Sequence, residues 1–316
     1  MIKYSFVLPA YKACYFKEAL DSILNQTYSD FELIIVNDAS PEDLDSIVSQ
    51  YDDPRITYYK NETNIGGKNL VEQWNKSLAY ANGEYIILAS DDDVYSLEYL
   101  ENMNALVDKD PEVNVFRPRI KRIDENGNIL HIDGYISEYL SKIEYLYFWT
   151  SRLVGSGIPF FIFKKNALIE IGGFVNYPLA WFSDDATILR LADNGIVTCN
   201  KTLFAFRTSN INISTALNNE KSLSAKCEAT KLFYEEHNNF LMNHVPENEE
   251  EAFLMPSVCT CFKLLIKDKV KSQLRRSTLK AIRHTKNQWL EIGCIKPSFI
   301  TRCYKYPIQT ALKKVF

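Results

Sequence analysis

The chain has 316 residues, 46% hydrophobic and 13% aromatic, enough for one large core or two ordinary ones. Its seven cysteines (positions 14, 199, 227, 259, 261, 294 and 303) include no Cys-x-x-Cys pair and its four histidines make no ligand spacing, which argues against a disulfide framework and a zinc site. The net charge of -4 hides an asymmetry, because residues 263–316 hold 14 Lys/Arg against 2 Asp/Glu while residues 1–262 hold 22 against 38.

In chain order, Ser5-Phe-Val-Leu8 reads as a first strand, and Cys14 to Gln26 places Phe16, Ala19, Leu20, Ile23 and Leu24 at helical spacing. Leu33-Ile-Ile-Val36 is a second strand, closed by Asn37-Asp-Ala-Ser-Pro41, a cap signal for a helix beginning about Pro41. Ile56–Tyr59 is a third strand. Asn64-Ile-Gly-Gly67 then breaks the chain before a helix carrying Leu70, Trp74, Leu78 and Ala81. The pairing Gly66-Gly67 reads as a backbone requirement of that turn rather than a phosphate loop. Tyr85–Ala89 is a fourth strand and runs into Asp91-Asp92-Asp93, with a helix expected from near Ser96. Strands alternating with helices are the signature of βαβ units and a mostly parallel sheet.

The middle of the chain is less regular. Val113–Phe116 reads as a strand, Arg117–Ile132 as a hairpin turning at Glu125-Asn-Gly127, Glu138–Phe148 as helix, Pro159–Phe163 as strand and Asp184–Asn194 as a helix ended by Gly195. From about Leu217 the pattern is helical, with breaks expected at Pro246, Pro256 and Pro297. No apolar run approaches the roughly 18 residues of a membrane span, and the first residues enter a strand rather than a signal segment, so a cytoplasmic location is expected. The basic tail extends that expectation to the inner face of the membrane, since it can approach anionic lipid, a polyanionic partner or the acidic body of the same chain.

The Asp triplet carries most of the chemistry. Adjacent carboxylates repel, and either a solvated acidic turn capping the next helix or a divalent cation accounts for them. Oxygen ligands suit Mg²⁺ or Mn²⁺, which are commonly held by one or two carboxylates plus a substrate's phosphates. The triplet also stands at a strand's carboxyl end, where open α/β sheets bind ligands.

Several strings then occur in a telling order: Phe6-Val-Leu-Pro-Ala-Tyr11, Ser22-Ile-Leu-Asn-Gln26, Phe31-Glu-Leu-Ile-Ile-Val-Asn-Asp-Ala-Ser40, Asn64-Ile-Gly66, Asn82-Gly-Glu-Tyr-Ile86 with the triplet, Gly172-Gly-Phe174 and Ser183-Asp-Asp185. Over residues 3–215 the chain resembles the family 2 glycosyltransferases of the GT-A fold, inverting enzymes that use nucleotide sugars. The resemblance implies an α/β GT-A domain over 1–215, with a nucleotide-sugar half to about 116 and an acceptor half over 117–215. A helical, basic region over 216–316 follows it.

The same resemblance assigns roles. Asp93 and Asp91 would hold the metal, Mn²⁺ or Mg²⁺, with Asp91 and Asp92 beside the ribose and diphosphate. Asp38 and Ser40 would read the nucleobase or ribose, and Pro9, Ala10 and Tyr11 would line the base pocket. Lys68 and Arg207 would clamp the diphosphate. The base that takes the acceptor's proton would be Asp184 or Asp185. Two departures stand out: Ser183 replaces the usual Glu of the acidic pair, and Ser209 occupies a position where many relatives carry a metal-binding His.

The function implied is transfer of one sugar from a nucleotide-diphosphate donor, UDP by family weight, to a hydroxyl of a glycan or lipid-linked saccharide in surface polysaccharide synthesis. Two other classes fit parts of the pattern: a glycoside hydrolase using the triplet and Asp184 as acid and base, and a non-catalytic nucleotide-sugar or glycan-binding module. No Gly-x-Gly-x-x-Gly follows the first strand and no Gly-Lys-Ser/Thr occurs, which disfavours dinucleotide oxidoreductases and P-loop NTPases. A nucleic-acid partner has only the tail's charge to support it and is not expected.

Overall fold

A computed structural model describes residues 2–209 and 218–303. The chain forms two compact units, one of residues 1–176 and 183–209, the other of residues 177–182 and 210–316.

The first unit is built on a ten-stranded sheet: β1 (Tyr4–Ala10), β2 (Phe31–Asn37), β3 (Ile56–Lys60), β4 (Tyr85–Leu88), β5 (Val94–Tyr95), β6 (Val115–Ile123), β7 (Ile129–Ile132), β8 (Tyr139–Leu140), β9 (Ile162–Lys164) and β10 (Ile196–Arg207). Its order is β3-β2-β1-β4-β9-β6-β10-β5, with β7 on β6 and β8 on β10. The pairs β1/β2, β2/β3, β1/β4 and β6/β10 are parallel, and β9 enters antiparallel between β4 and β6. Helices α1 (Phe16–Leu24), α2 (Leu44–Val48), α3 (Leu70–Leu78), α4 (Tyr99–Lys109), α5 (Lys142–Thr150), α6 (Lys165–Glu170) and α7 (Ser183–Leu191) connect the strands. The runs Phe6-Val-Leu8 and Leu33-Ile-Ile-Val36 are apolar without alternation because parallel strands covered by helices are buried on both faces.

That parallel arrangement sends the carboxyl ends of β1, β2 and β4 to one edge of the sheet. At the opposite edge buried Glu32 closes the structure, accepting from Ser5 Oγ at 2.5 Å and from the Asn82 and Gly83 amides at 2.6 and 3.2 Å. Gly83 has no room for a side chain, since a Cβ there would lie 2.7 Å from the Ser5 backbone.

Several expectations need correction. The helix placed from about Pro41 begins at Leu44, because Asp43 is the residue whose carboxylate accepts from Ser46 N, at 3.0 Å. Helix α5 starts at Lys142 rather than Glu138, where Ser141 and Glu144 form a reciprocal capping box. The twelve-residue strand β10 has no clear signal in the sequence, since Asn200 and Lys201 interrupt its apolar pattern at a register shift against β6.

The second unit holds α8 (Glu220–Asn243), α9 (Glu249–Arg275), α10 (Leu279–Leu290) and α11 (Pro297–Cys303). Its core includes Phe182 stacked on Phe233 at 4.3 Å, with Phe262, Ile266, Ile282 and Trp289 buried. The break expected at Pro256 does not occur, because Pro256 lies inside α9. A helical proline forfeits a hydrogen bond and costs about 3 kcal/mol. Burial of Val258, Phe262, Leu265, Ile266, Val270 and Leu274 along the same helix offsets it. Among the described residues no helix is long and apolar enough to cross a membrane. Part of the basic tail, residues 304–316, lies outside the described residues.

Candidate active site

The strand-end edge gathers three loops. After β1, the backbone amides of Tyr11 and Lys12 both donate to Asp91 Oδ2, at 2.9 and 2.8 Å. After β2, Asp38 N donates to Ala10 O at 3.0 Å, and Ser40 Oγ donates to Tyr11 O at 2.6 Å. After β3, the Asn61–Gly66 turn wraps the Asp38 carboxylate. Asn61 Nδ2 and Ile65 N donate to Oδ1 at 2.7 and 2.9 Å, and Gly66 N to Oδ2 at 2.7 Å. A Cβ on Gly66 would lie 2.9 Å from Asp38 Oδ2, so this glycine is required by close approach. Pro9, Ala10, Tyr11, Asp38, Ser40 and Asp91 are thus one connected cradle, with the Tyr11 ring 39% exposed at its mouth.

The three carboxylates of the triplet differ in what they touch. Asp91 is tied to the β1 loop, and burial pushes its pKa up against the pull of those amides. Burial, then the Asp91 charge, pushes Asp92 up to about 6. Asp93 is wholly buried. Its Oδ1 accepts from Arg207 N at 2.8 Å, whereas Oδ2 is buried with no hydrogen-bond partner. Burial and the neighbouring Asp92 hold Asp93 well above the ordinary carboxylate range. Lys12, which sequence reasoning passed over, sits close enough for its charge to lower both Asp91 and Asp92. Its only signal in the sequence is its place directly after Tyr11.

These residues fit a divalent cation. A buried acceptor without a donor and two neighbouring carboxylates resisting ionisation are what a cation would relieve. Among the described residues no three Asp, Glu, His or Cys side chains converge as a metal-holding group. The donor set therefore matches an ion that completes its shell with phosphate and water.

Arg207, the expected diphosphate clamp, ends β10 beside the triplet. It is 2% exposed, and its Nε donates to Asp92 O at 2.9 Å and its Nη2 to Glu18 Oε2 at 2.6 Å. Its guanidinium also lies 4.3 Å from the centre of the Tyr15 ring. These contacts make it a tie between β10, α1 and the triplet. Lys68 is exposed at the turn before α3, outside the hydrogen-bonded cradle.

The acidic pair sits in the first turn of α7, where carboxylates complement the helix dipole. Asp185 is 8% exposed and its Oδ1 accepts from Ser156 Oγ at 2.6 Å. Asp184 is half-buried, and Ile158 N approaches its Oδ2 at 3.4 Å. The next residue of that segment, Pro159, accepts from the hydroxyl of Tyr95, two residues beyond Asp93, at 3.4 Å. One short stretch, Ser156–Ile158, therefore touches both carboxylates of the pair.

The fold is that of the GT-A class of glycosyltransferases. The Glycosyl transferase family 2 model matches residues 5–172, more than half of the chain, and the chain belongs to that family. It is 26% identical over 246 residues to an uncharacterized glycosyltransferase of Haemophilus influenzae, covering 76% of this chain and 81% of that one. It is 35% identical over 119 residues to one of Methanocaldococcus jannaschii, covering 37% of this chain and only 40% of that relative's length. Among solved structures, S. aureus TarS 1-349 in complex with UDP-GlcNAc aligns with a TM-score of 0.67 at 17% identity, over 98% of this chain and 92% of TarS 1-349. The mannosyltransferase PcManGT of Pyrobaculum calidifontis, solved with GDP-Man and Mn²⁺, aligns with a TM-score of 0.55 at 16% identity, covering 99% of this chain and 87% of that one. At those identities the structures speak to the fold.

Proposed function

We propose that the protein transfers a sugar from a nucleotide-diphosphate donor, of the UDP class, to an acceptor hydroxyl with inversion. The observation that carries this is the triplet. A solvated acidic turn would not hold Asp93 fully buried with an unpartnered Oδ2, beside an Asp92 whose pKa is pushed up to about 6. Asp93 would hold Mn²⁺ or Mg²⁺, with Asp92 as its partner in place of the Asp91 expected from the sequence, because Asp91 Oδ2 accepts from the Tyr11 and Lys12 amides of the β1 loop. When bound, such an ion neutralises charge on the departing diphosphate.

In this reading the Pro9–Tyr11 strand end and the Asp38 cradle receive the nucleoside, with Ser40 holding the Tyr11 carbonyl in place. Asp184 takes the proton from the acceptor hydroxyl as its oxygen bonds to the anomeric carbon. The bond from that carbon to the phosphate oxygen breaks on the opposite side, and its electron pair leaves with the nucleoside diphosphate. A positioned carboxylate base contributes on the order of 10²–10⁴-fold.

A surface glycan or lipid-linked saccharide is the acceptor class we propose. Two observations support it: the chain is 41% identical over 80 residues, 25% of this chain and 28% of the other, to a putative colanic acid biosynthesis glycosyl transferase of Escherichia coli, and the basic helical unit suits an anionic membrane face. The test is thermal unfolding with UDP, GDP and dTDP, each with and without Mn²⁺. A ligand at about 100 times its Kd stabilises by roughly 2.7 kcal/mol. A metal-dependent shift with one nucleotide, lost in Asp93→Ala, is expected. No shift with any nucleotide would overturn the reading, and donor binding without turnover, indifferent to Asp184→Asn, would favour a binding module.

A further inference from the structure

Between α5 and β9 the stretch Val154–Phe161 is largely buried and held from both sides. Behind it, Arg117 on β6 and Asp133 form an ion pair at 2.5 Å with exposures of 1% and 2%. Both oxygens of Asp133 accept from Gly155 N, at 3.1 Å each. The backbone there packs closely on β6, since a Cβ added at Gly155 would stand 2.9 Å from Ile120 Cδ1. In front of it, Ser156 Oγ donates to Asp185 at 2.6 Å, a short charge-assisted hydrogen bond across 29 residues of sequence. The Tyr145 hydroxyl is buried beside Ser156 and Asp185.

A buried ion pair is weak evidence for stability and is better explained by the conformation it specifies. Here that conformation is the path of residues 155–158, and the group delivered by it is the Ser156 hydroxyl. The geometry points to Ser156 as a positioning residue of the transfer reaction. Backed by Asp133 and Arg117, it holds Asp185 in the first turn of α7 so that the adjacent, more exposed Asp184 meets the acceptor hydroxyl. The inference rests on the glycosyl-transfer reading above and divides the acidic pair into one positioning and one proton-accepting carboxylate.

The experiment measures nucleoside-diphosphate release from a panel of UDP-, GDP- and dTDP-sugars by the full chain and its Ser156→Ala, Ser156→Thr, Asp185→Asn and Asp184→Asn variants. Ser156→Ala is expected to lower kcat by about 10- to 100-fold and leave the donor KM within about threefold, as loss of orientation does. Ser156→Thr is expected to recover most of the rate. Ser156→Ala added to Asp185→Asn is expected to cost less than about twofold more, as for residues acting as one unit. Asp184→Asn should lose on the order of 10³-fold while retaining the nucleotide-induced thermal shift. An unchanged kcat in Ser156→Ala, or greater loss from Asp185→Asn than from Asp184→Asn, overturns the positioning role while transfer by the wild type leaves the function standing. No release from any sugar nucleotide by the wild type overturns both.

Discussion

Replacing Asp92 by Asn should stabilise the metal-free protein at neutral pH, the reverse of what removing a buried polar group ordinarily does. Asp92 is 9% exposed, and burial with the Asp91 charge raises its pKa from 3.8 to about 6. A shift of about two units corresponds to roughly 3 kcal/mol between the protonation states. The sign follows from linkage. With the folded pKa above the unfolded one, the folded state binds more protons in between, so stability is full below about pH 4 and falls as pH rises through 6. At pH 7 the ionised group thus costs up to about 3 kcal/mol, and Asn removes that cost at the loss of little else. Chemical denaturation in EDTA from pH 4 to 8 should show Asp92→Asn about 1–3 kcal/mol more stable than wild type above pH 7, converging near pH 4. Adding Mn²⁺ with the matching nucleotide should stabilise the wild type and leave the variant nearly unchanged. A variant that is less stable at pH 7, or whose difference from wild type does not vary with pH, would refute the electrostatic account of the triplet.

Gly66→Ala places a methyl 2.9 Å from Asp38 Oδ2 and should weaken nucleotide binding by at least about tenfold, with a stability loss of about 1–2 kcal/mol from the lost Gly66–Asp38 bond, read by calorimetry and denaturation. Arg207→Met should cost about 2–4 kcal/mol, since it leaves the buried Asp92 carbonyl without its donor. At a temperature where the variant stays folded its nucleotide Kd should remain within a few-fold of wild type; a hundredfold loss there would restore the clamp role. Neutralising the exposed Arg283, Lys286 and Lys296 to Gln should reduce co-sedimentation with phosphatidylserine vesicles by about a hundredfold, at roughly 1 kcal/mol per charge. Unchanged binding would dismiss the tail as a membrane contact. Point changes are preferable to deleting residues 263–316, because that deletion would cut through α9 and remove its buried Leu265, Ile266, Val270 and Leu274.

The parts of the fold legible in the sequence are those where one interaction dominates locally. The strands β1, β2 and β4 are continuous apolar runs because helices cover both their faces, and such runs stand out against the amphipathic helices between them. The strand β10 was illegible because its middle is polar and slips register, and α9 because burial downstream outweighs one proline. The site divides the same way. That the triplet ends a strand could be read from its neighbours, and the order of the motifs located Asp38 and the acidic pair. How the carboxylates share the work could not be read. Asp91 answers to amides 80 residues away, and Ser156 is an ordinary serine until the chain brings it to Asp185.

The strand order also sets a condition on synthesis. β4 and β6 do not pair with each other; the three-residue β9 is the seam between them, matching Tyr85 with Lys164, Ile86 with Phe163 and Phe116 with Ile162. A nascent chain that has emerged as far as residue 116 therefore holds every residue of the Asp38 cradle and still carries an apolar β4 with an open side. Closure waits for some fifty further residues, a long-range pairing of the kind that slows folding. A fragment ending near residue 116 should consequently associate through that unsealed edge rather than behave as a minimal nucleotide-binding module.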